Sequence, residues 1–473
     1  MRYDYQRNPL ANYRFISSTP SRQELPRSCA MADSPIPRRD FIKAGAATGL
    51  AALLPACRET TDKPAARKPN VVLIMADDLG YECIGANGGT SYKTPVLDRM
   101  AADGVRFEHC YAQPLCTPTR VKLMTGINNV RNYVEFGVLD QSQTTFGHLF
   151  RQAGYATCVV GKWQLEGGLD GPGHFGFDEY CLWQLNRRPG RYPNPGLEIN
   201  GRQVDFGSGE YGPDLVSDYA CEFMQRNKDK PFLLYYPMIL THCPFEPTPD
   251  SPDWDPASKG SPTYKGDPKY FGDMVSYMDK LVGKMKNKLD ALGLRENTLI
   301  VFVGDNGTDK PVVSRMDGYE VAGAKNTTAD AGTRVPLIAE WPGTVSRGTV
   351  CPDLVDMSDF LPTICEAAGI SLPQEPVIDG RSFMPQLRGQ TGNPRDWIYC
   401  WFSRSGERDK VRVFARNQRY KLYATGEFYD ITADRLENNP LDVEKLGQEA
   451  REVRGMLQGA LDSYADSRPD YLK

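Results

Sequence analysis

Five short apolar runs constrain the fold more than any other feature of the chain. Residues 70–75 (Asn-Val-Val-Leu-Ile-Met), 156–160, 232–236, 298–303 and 335–340 are almost continuously apolar rather than alternating. A strand needs such a run when both of its faces are buried, as in a parallel sheet covered by helices. The stretches between them have helical periodicity. In 267–292, Phe271, Met274, Met278, Leu281, Met285, Leu289 and Leu292 fall on one face, with methionine as core filler. Helices are also expected over 144–153, 214–225 and 356–368, and after Thr94 as N-cap with Pro95 at the first helical position and Gly104 beyond the end. The pattern predicts an α/β fold with helices on both faces of a large sheet. From about residue 394 the composition changes to short strands at 396–403, 411–416, 420–423 and 427–430, closed by a helix over 441–464. This predicts a catalytic domain over 69–394 and a small α+β subdomain over 395–473. Residues 175–183 and the Pro/Gly/Arg-rich 186–212 read as loops that shape a pocket mouth.

Open α/β sheets bind ligands at the carboxyl ends of their strands, and the chemistry-bearing residues cluster there. After the first run comes Ala76-Asp77-Asp78-Leu79-Gly80, and after the fourth Gly304-Asp305-Asn306-Gly307. Adjacent carboxylates are costly to bury unless a cation lies between them; a solvated loop or a helix cap is the other reading. Carboxylate and amide oxygens suit a hard cation, Ca²⁺ before Zn²⁺. The second run ends in Gly161-Lys162-Trp163-Gln164-Leu165, the third delivers Thr241-His242-Cys243-Pro244-Phe245, and Ala324-Lys325-Asn326 precedes the fifth. His242 could be a packed loop histidine and Lys325 a solvated one. Cys116-Thr117-Pro118-Thr119-Arg120 stands where a helix begins, since Pro118 fits a first turn and Gly126 can end it. Helix N-termini attract anions, and Arg120 adds a planar charged fork. A small buried thiol is the alternative for Cys116.

Cys116-Thr117-Pro118-Thr119-Arg120, followed by Leu123-Met124-Thr125-Gly126, resembles the signature of the formylglycine-dependent type I sulfatases of the alkaline phosphatase superfamily, in an exported bacterial arylsulfatase-like branch. The other four motifs occur in that family's order. The resemblance implies an alkaline-phosphatase-like mixed sheet. It implies that Cys116 is oxidised to formylglycine, whose hydrate attacks sulfur through one hydroxyl and is released through the other. It implies a Ca²⁺ (or the smaller hard cation Mg²⁺) held by Asp77, Asp78, Asp305, Asn306 and the residue at 116. Arg120 would steady the nucleophile, Lys162 and Lys325 would bind the sulfate, and His242 would protonate the leaving alcohol. One departure stands out: Gln164 occupies the place of a family histidine, and Glu166 that of a glycine. Glutamine can hydrogen-bond but cannot take a proton. The implied reaction is hydrolysis of a sulfate ester, on a sulfated carbohydrate in view of the export signal below, after maturation by a formylglycine-generating enzyme. A phosphodiester or phosphonate monoester hydrolase with the same nucleophile, and a non-catalytic glycan-binding surface protein, are the alternatives.

Residues 1–30 read as an upstream extension before Met31. Pro37-Arg38-Arg39-Asp40-Phe41-Ile42-Lys43 and the short apolar stretch 44–56 resemble a twin-arginine export signal, ending in a lipobox-like Leu53-Leu54-Pro55-Ala56-Cys57 that would place a lipid anchor at Cys57. Residues 58–68 read as a linker. Twin-arginine export carries folded chains, so most of the 12 cysteines are expected to be reduced core residues. Net charge is −4 with no basic stripe, so nothing indicates nucleic acid. No apolar run reaches the length of a membrane span.

Overall fold

The computed structural model describes residues 67–261 and 263–472. The export signal, Cys57 and all but the last two residues of the linker lie outside them. Strands β1 (Asn70–Ala76), β2 (Val105–Tyr111), β3 (Ala156–Lys162), β4 (Glu179–Trp183), β5 (Gly196–Ile199), β6 (Arg202–Asp205), β7 (Phe232–Pro237), β8 (Thr298–Gly304), the hairpin β9 (Val313–Met316) and β10 (Tyr319–Ala322), β11 (Arg334–Glu340) and β12 (Thr349–Asp356) precede a C-terminal set. Ten of them form one sheet in the order β12-β2-β11-β8-β1-β7-β3-β4-β5-β6. Strands β8, β1, β7, β3 and β4 run parallel, whereas β11 lies antiparallel between β8 and β2, and β5 antiparallel between β4 and β6. The sheet is therefore mixed, with a parallel centre.

The apolar runs are continuous because each strand feeds two cores. Val71, Leu73 and Met75 of β1 point into one, and Val72, Ile74 and Ala76 into the other. Helix α1 (Pro95–Asp103) and the helices Gly212–Arg226 and Phe271–Ala291 cover the second face. Helix α2 (Cys116–Thr125) and the helices Phe146–Gln152 and Phe360–Ala368 cover the first. Strands β13 (Ile398–Phe402), β14 (Arg412–Arg416), β15 (Tyr420–Tyr423) and β16 (Phe428–Asp430) form an antiparallel sheet, followed by the helix Gln448–Asp462. Tyr399, Trp401, Ala415 and Leu422 of this sheet join the first core.

Three local expectations need correction. The stretches 175–183 and 186–212 are not only loops: β4, β5 and β6 extend the sheet there. Their strands are short and Arg187, anchored on Glu198 and Asp205, ties β5 to β6; no periodicity of four residues stands out from a Pro/Gly-rich background. The second is Thr94, which sits at the N-cap position but does not cap α1. Its hydroxyl instead donates to Asp98 Oδ1 at 3.1 Å, and the free N–H groups of Val96 and Leu97 donate to Asp279 of the helix Phe271–Ala291 at 3.0 and 2.9 Å. A cap from a residue so distant in sequence leaves no local trace. The third is the helix over 356–368, which starts late: β12 runs to Asp356, whose carboxylate opens a 3-10 turn at Met357–Asp359 before Phe360–Ala368.

Among the described residues all ten cysteines are free, nine of them buried and Cys221 half-buried. No helix among them is long and apolar enough to cross a membrane.

Candidate active site

The parallel strands deliver their polar residues to one edge. β1 leads directly into Asp77 and Asp78, and β8 into Asp305 and Asn306, all four fully buried. Successive residues of an extended chain face opposite ways. Here Asp78 adopts a left-handed φ of 59°, a conformation that costs a non-glycine residue free energy and marks functional sites. The turn sends both aspartates into the same space. Asp78 N donates to Asp305 Oδ1 at 3.0 Å, and Asn306 Nδ2 donates to Asp78 Oδ1 at 2.8 Å. Neither carboxylate oxygen of Asp77 receives a hydrogen bond, and neither does Asn306 Oδ1.

Cys116 is the first residue of α2, and Pro118 occupies its first turn, where no N–H is needed. Gly126 ends the helix with φ 69° and its N–H on Lys122 O at 2.9 Å. The thiol lies 2.8 Å from Gln164 Oε1. Gln164 is itself left-handed (φ 56°) and hangs from Gln184 O by its N–H at 3.1 Å. One residue before Lys162, the backbone of β3 presses on β7: at Gly161, with φ 116°, a Cβ would fall 1.9 Å from Pro237 O. Only glycine fits, and the close approach carries Lys162 over Asp77.

Three cations face three aspartates. Arg120 donates to Lys162 O at 2.7 Å and to Asp305 Oδ2 at 3.1 Å, and lies 3.8 Å from Asp77 Oδ2. Its guanidinium thus braces the two carboxylates. Lys162 Nζ is 2.6 Å from Asp77 Oδ2 but out of line for a hydrogen bond. Lys325 Nζ donates to Asp78 Oδ2 at 2.5 Å. His242 Nε2 lies 3.7 Å from the same oxygen, and its Nδ1 lies 2.6 Å from Cys243 O. The structure therefore brings together all ten residues singled out in the sequence: Asp77, Asp78, Cys116, Arg120, Lys162, Gln164, His242, Asp305, Asn306 and Lys325.

Burial alone would raise the Asp77 carboxyl, but the charges of Lys162, Arg120 and Lys325 hold it below the usual range. Asp78 has fewer such partners, and burial pushes it up. Burial and the charge of Asp77 push Asp305 up to about 7. Burial also raises the Cys116 thiol. Burial, Lys162, Lys325 and Arg191 hold His242 far below its usual value, so its ring is neutral. Three buried carboxylates that repel one another, two donor-free oxygens on Asp77 and one on Asn306 form a set that fits a hard cation. Asp77, Cys116 and Asp305 offer ligand atoms within 4.8 Å of one another, as do Asp77, Asp78 and His242.

Two residues that the sequence did not single out meet at His242. Arg191 NH1 lies 3.0 Å from Nδ1, and Tyr264 OH 3.4 Å from Nε2. Both come from connecting segments rich in Pro, Gly and charge, where no spacing distinguishes one arginine or tyrosine from its neighbours.

Known proteins bear on this arrangement. Residues 69–370 match the model of the family described as Sulfatase, and 324–464 that of "N-sulphoglucosamine sulphohydrolase, C-terminal". Residues 35–55 match the twin-arginine translocation pathway signal sequence, which directs export across the cytoplasmic membrane. Arylsulfatase A of Homo sapiens is 34% identical over 412 residues, covering 78% of each chain. N-acetylgalactosamine-6-sulfatase of Mus musculus is 32% identical over 364 residues, 69% of this chain and 68% of that one. The crystal structure of Ps i-CgsB superposes with a TM-score of 0.73 at 26% identity, covering 85% of this chain and 94% of that one; the same protein in complex with k-i-k-neocarrahexaose gives 0.72 at 25%, over the same shares. With its mixed sheet, its buried acid–lysine cluster and these relatives, the chain belongs to the sulfatase family, the hydrolases of sulfuric esters.

Proposed function

We propose that the chain hydrolyses a sulfate ester on a carbohydrate, with Cys116 matured to formylglycine and a Ca²⁺ held by Asp77, Asp78, Asp305, Asn306 and the group at position 116. The observation that carries this reading is the pair of donor-free, fully buried Asp77 oxygens beside Cys116 and Asp305. The cation would polarise the sulfate and offset its charge. The aldehyde hydrate supplies a hydroxyl nucleophile at the place that Sγ marks.

The remaining steps belong to the chain's own side chains. Gln164 Oε1 accepts a hydrogen bond from position 116 and fixes its rotamer. Arg120 keeps Asp77 and Asp305 in register. Lys162 and Lys325 pair with the adjacent Asp77 and Asp78, placed to offset charge on the sulfate oxygens as it develops. His242 is neutral before substrate enters. Burial and nearby positive charge together depress it; an anionic ester seated between Lys162 and Lys325 offsets the charge of those two lysines, so binding favours the protonated ring that donates to the leaving oxygen. Lys325, whose affinity for its proton is raised by Asp78 against burial, stands beside it as a second donor. Gln164 cannot remove a proton, so the release step falls to another group of the cluster.

The substrate class rests on likeness. One matching family model is named for an N-sulphoglucosamine hydrolase, a curated relative for a sulfated amino sugar, and a solved relative holds a saccharide. The export signal places such a polymer within reach. Maturation calls for a formylglycine-generating enzyme, and export for the twin-arginine machinery; a lipid anchor at Cys57 is part of the same proposal. We assign 69–394 to the catalytic domain and 395–473 to a subdomain that supports the loop of Lys325, since Lys421 of β15 donates to Thr328 O.

The test is sulfate release from sulfated sugars by the matured chain, run beside phosphate and phosphonate monoesters and phosphodiesters. Sulfate esters should turn over fastest, and Asp305→Ala should abolish the activity. Faster phosphate or phosphonate ester turnover, or an active Asp305→Ala chain, overturns the assignment.

A further inference from the structure

The ground around His242 bears on what else the substrate carries, and this inference rests on the sulfated-carbohydrate reading above. Arg191 is 5% exposed. Its guanidinium carbon lies 3.9 Å from the ring centre of Trp183 and 5.3 Å from that of Tyr264. Among the described residues no carboxylate lies within 4.0 Å of it. Other buried arginines are compensated: Arg120, Arg395 and Arg416 each face an aspartate, and Arg468 spends its donors on backbone carbonyls. Arg191 has aromatic faces and an imidazole, none of which carries a negative charge. Stacking attracts a guanidinium but does not neutralise it, whereas a charge taken out of water is held well only where a counter-charge reaches it.

That charge opens on a cavity of about 250 Å³ whose wall also carries Arg188, Lys259 and Tyr264. Arg188 NH2 donates to Tyr264 OH at 2.7 Å and so holds the ring against Arg191. The one acid on that wall, Glu246, accepts the N–H of Ser261 and stays beyond ion-pair reach of Arg191. Tyr264 also touches His242 Nε2, so the cavity adjoins the side on which the leaving alcohol sits.

We propose that this cavity is a subsite for a second oxyanion of the substrate, a sulfate or carboxylate on the sugar bearing the scissile ester or on its neighbour, and that Arg191 determines the specificity for it. An oxyanion meets a guanidinium already oriented by two rings, with no water-filled arm to order first. A monosulfated substrate would leave the charge uncompensated.

The experiment is a calorimetric titration of the full chain with inorganic sulfate, Cys116 left unconverted so that turnover plays no part. The native chain should take two sulfates and Arg191→Met one, with Arg191→Lys restoring part of the second. Arg188→Ala, on the exposed rim, should weaken the second site about threefold if Arg191→Met does not fold. Acetate in place of sulfate tells whether a carboxylate also enters. In the same protein a disulfated hexose should bind at least about tenfold tighter than the monosulfated one, and Arg191→Met should bring that ratio close to one. One sulfate in the native chain, two in Arg191→Met, or an unchanged ratio overturns the subsite. Sulfate release by the matured chain is scored separately: its absence on every sugar refutes the hydrolase reading without touching the binding result.

Discussion

Replacing Asp77 by asparagine tests the cation site from two directions at once. In the native chain a hard cation that binds only the folded state stabilises it by about 2.7 kcal/mol at a hundred times its dissociation constant and about 4.1 kcal/mol at a thousand times. At roughly 2.1 cal/mol/K of unfolding entropy per residue, a unit of roughly 400 residues shifts its Tm by about 1.2 °C per kcal/mol. Calcium should therefore raise the Tm of the chelator-treated native protein by about 3–5 °C. Asp77→Asn removes a ligand whose two oxygens accept no hydrogen bond, so this rise should vanish. It also strands Lys162, 1% exposed and 2.6 Å from Asp77. A buried charge that loses its partner costs about 3–5 kcal/mol, which lowers the Tm without calcium by about 4–6 °C. Differential scanning calorimetry with calcium and with chelator reads both effects. If the native Tm is the same in both buffers, or if Asp77→Asn keeps the full calcium shift, the cation site as drawn is refuted.

Other predictions follow from neighbouring contacts. Gln164→Ala removes the acceptor 2.8 Å from position 116; kcat should fall about 10–100-fold with KM nearly constant, and an unchanged kcat would show that the amide holds nothing. Lys122 binds Asp356 at 2.7 Å and Tyr399 O at 3.2 Å, tying α2 to β12 and β13; Lys122→Met should cost about 3–5 kcal/mol while leaving the calcium shift intact, as calorimetry will show. Asp279 caps α1 and burial pushes its carboxyl up to about 6 from 3.8. A raised acid favours folding below its unfolded value, and that contribution is lost as pH rises. Relative to Asp279→Asn the native chain should thus lose about 1–2 kcal/mol of unfolding free energy between pH 4 and 6, since Asp279 is buried in the native state. Parallel denaturant titrations at the two pH values check it; a difference that stays flat contradicts the burial argument.

The central strands were legible because burial on both faces writes itself as an unbroken apolar run. The acidic and basic residues after those runs were legible for the same reason, since a strand end fixes where its next side chains go. Residues 70–76, 232–237 and 298–304 differ from expectation by one residue at most. What stayed hidden depends on partners far along the chain. The Asp279 cap joins α1 to a helix nearly two hundred residues on, and Arg191 gains meaning only where Trp183, Tyr264 and His242 converge. Strand β12 begins with alternating exposure at Thr349–Cys351 and carries Pro352, so its sequence lacks the buried-strand pattern. The left-handed turn at Asp78 was equally unreadable, because aspartate tolerates that conformation without requiring it.

The measurement that bears most directly on the account is the mass of the tryptic peptide 107–120 from protein made together with a formylglycine-generating system. That peptide holds Cys110, buried in the core, and Cys116, at the start of α2. The account predicts that Cys116 has exchanged its sulfur for an aldehyde oxygen, while Cys110 remains a thiol that alkylates on unfolding. Two intact thiols, in cells that convert a known sulfatase side by side, would contradict it.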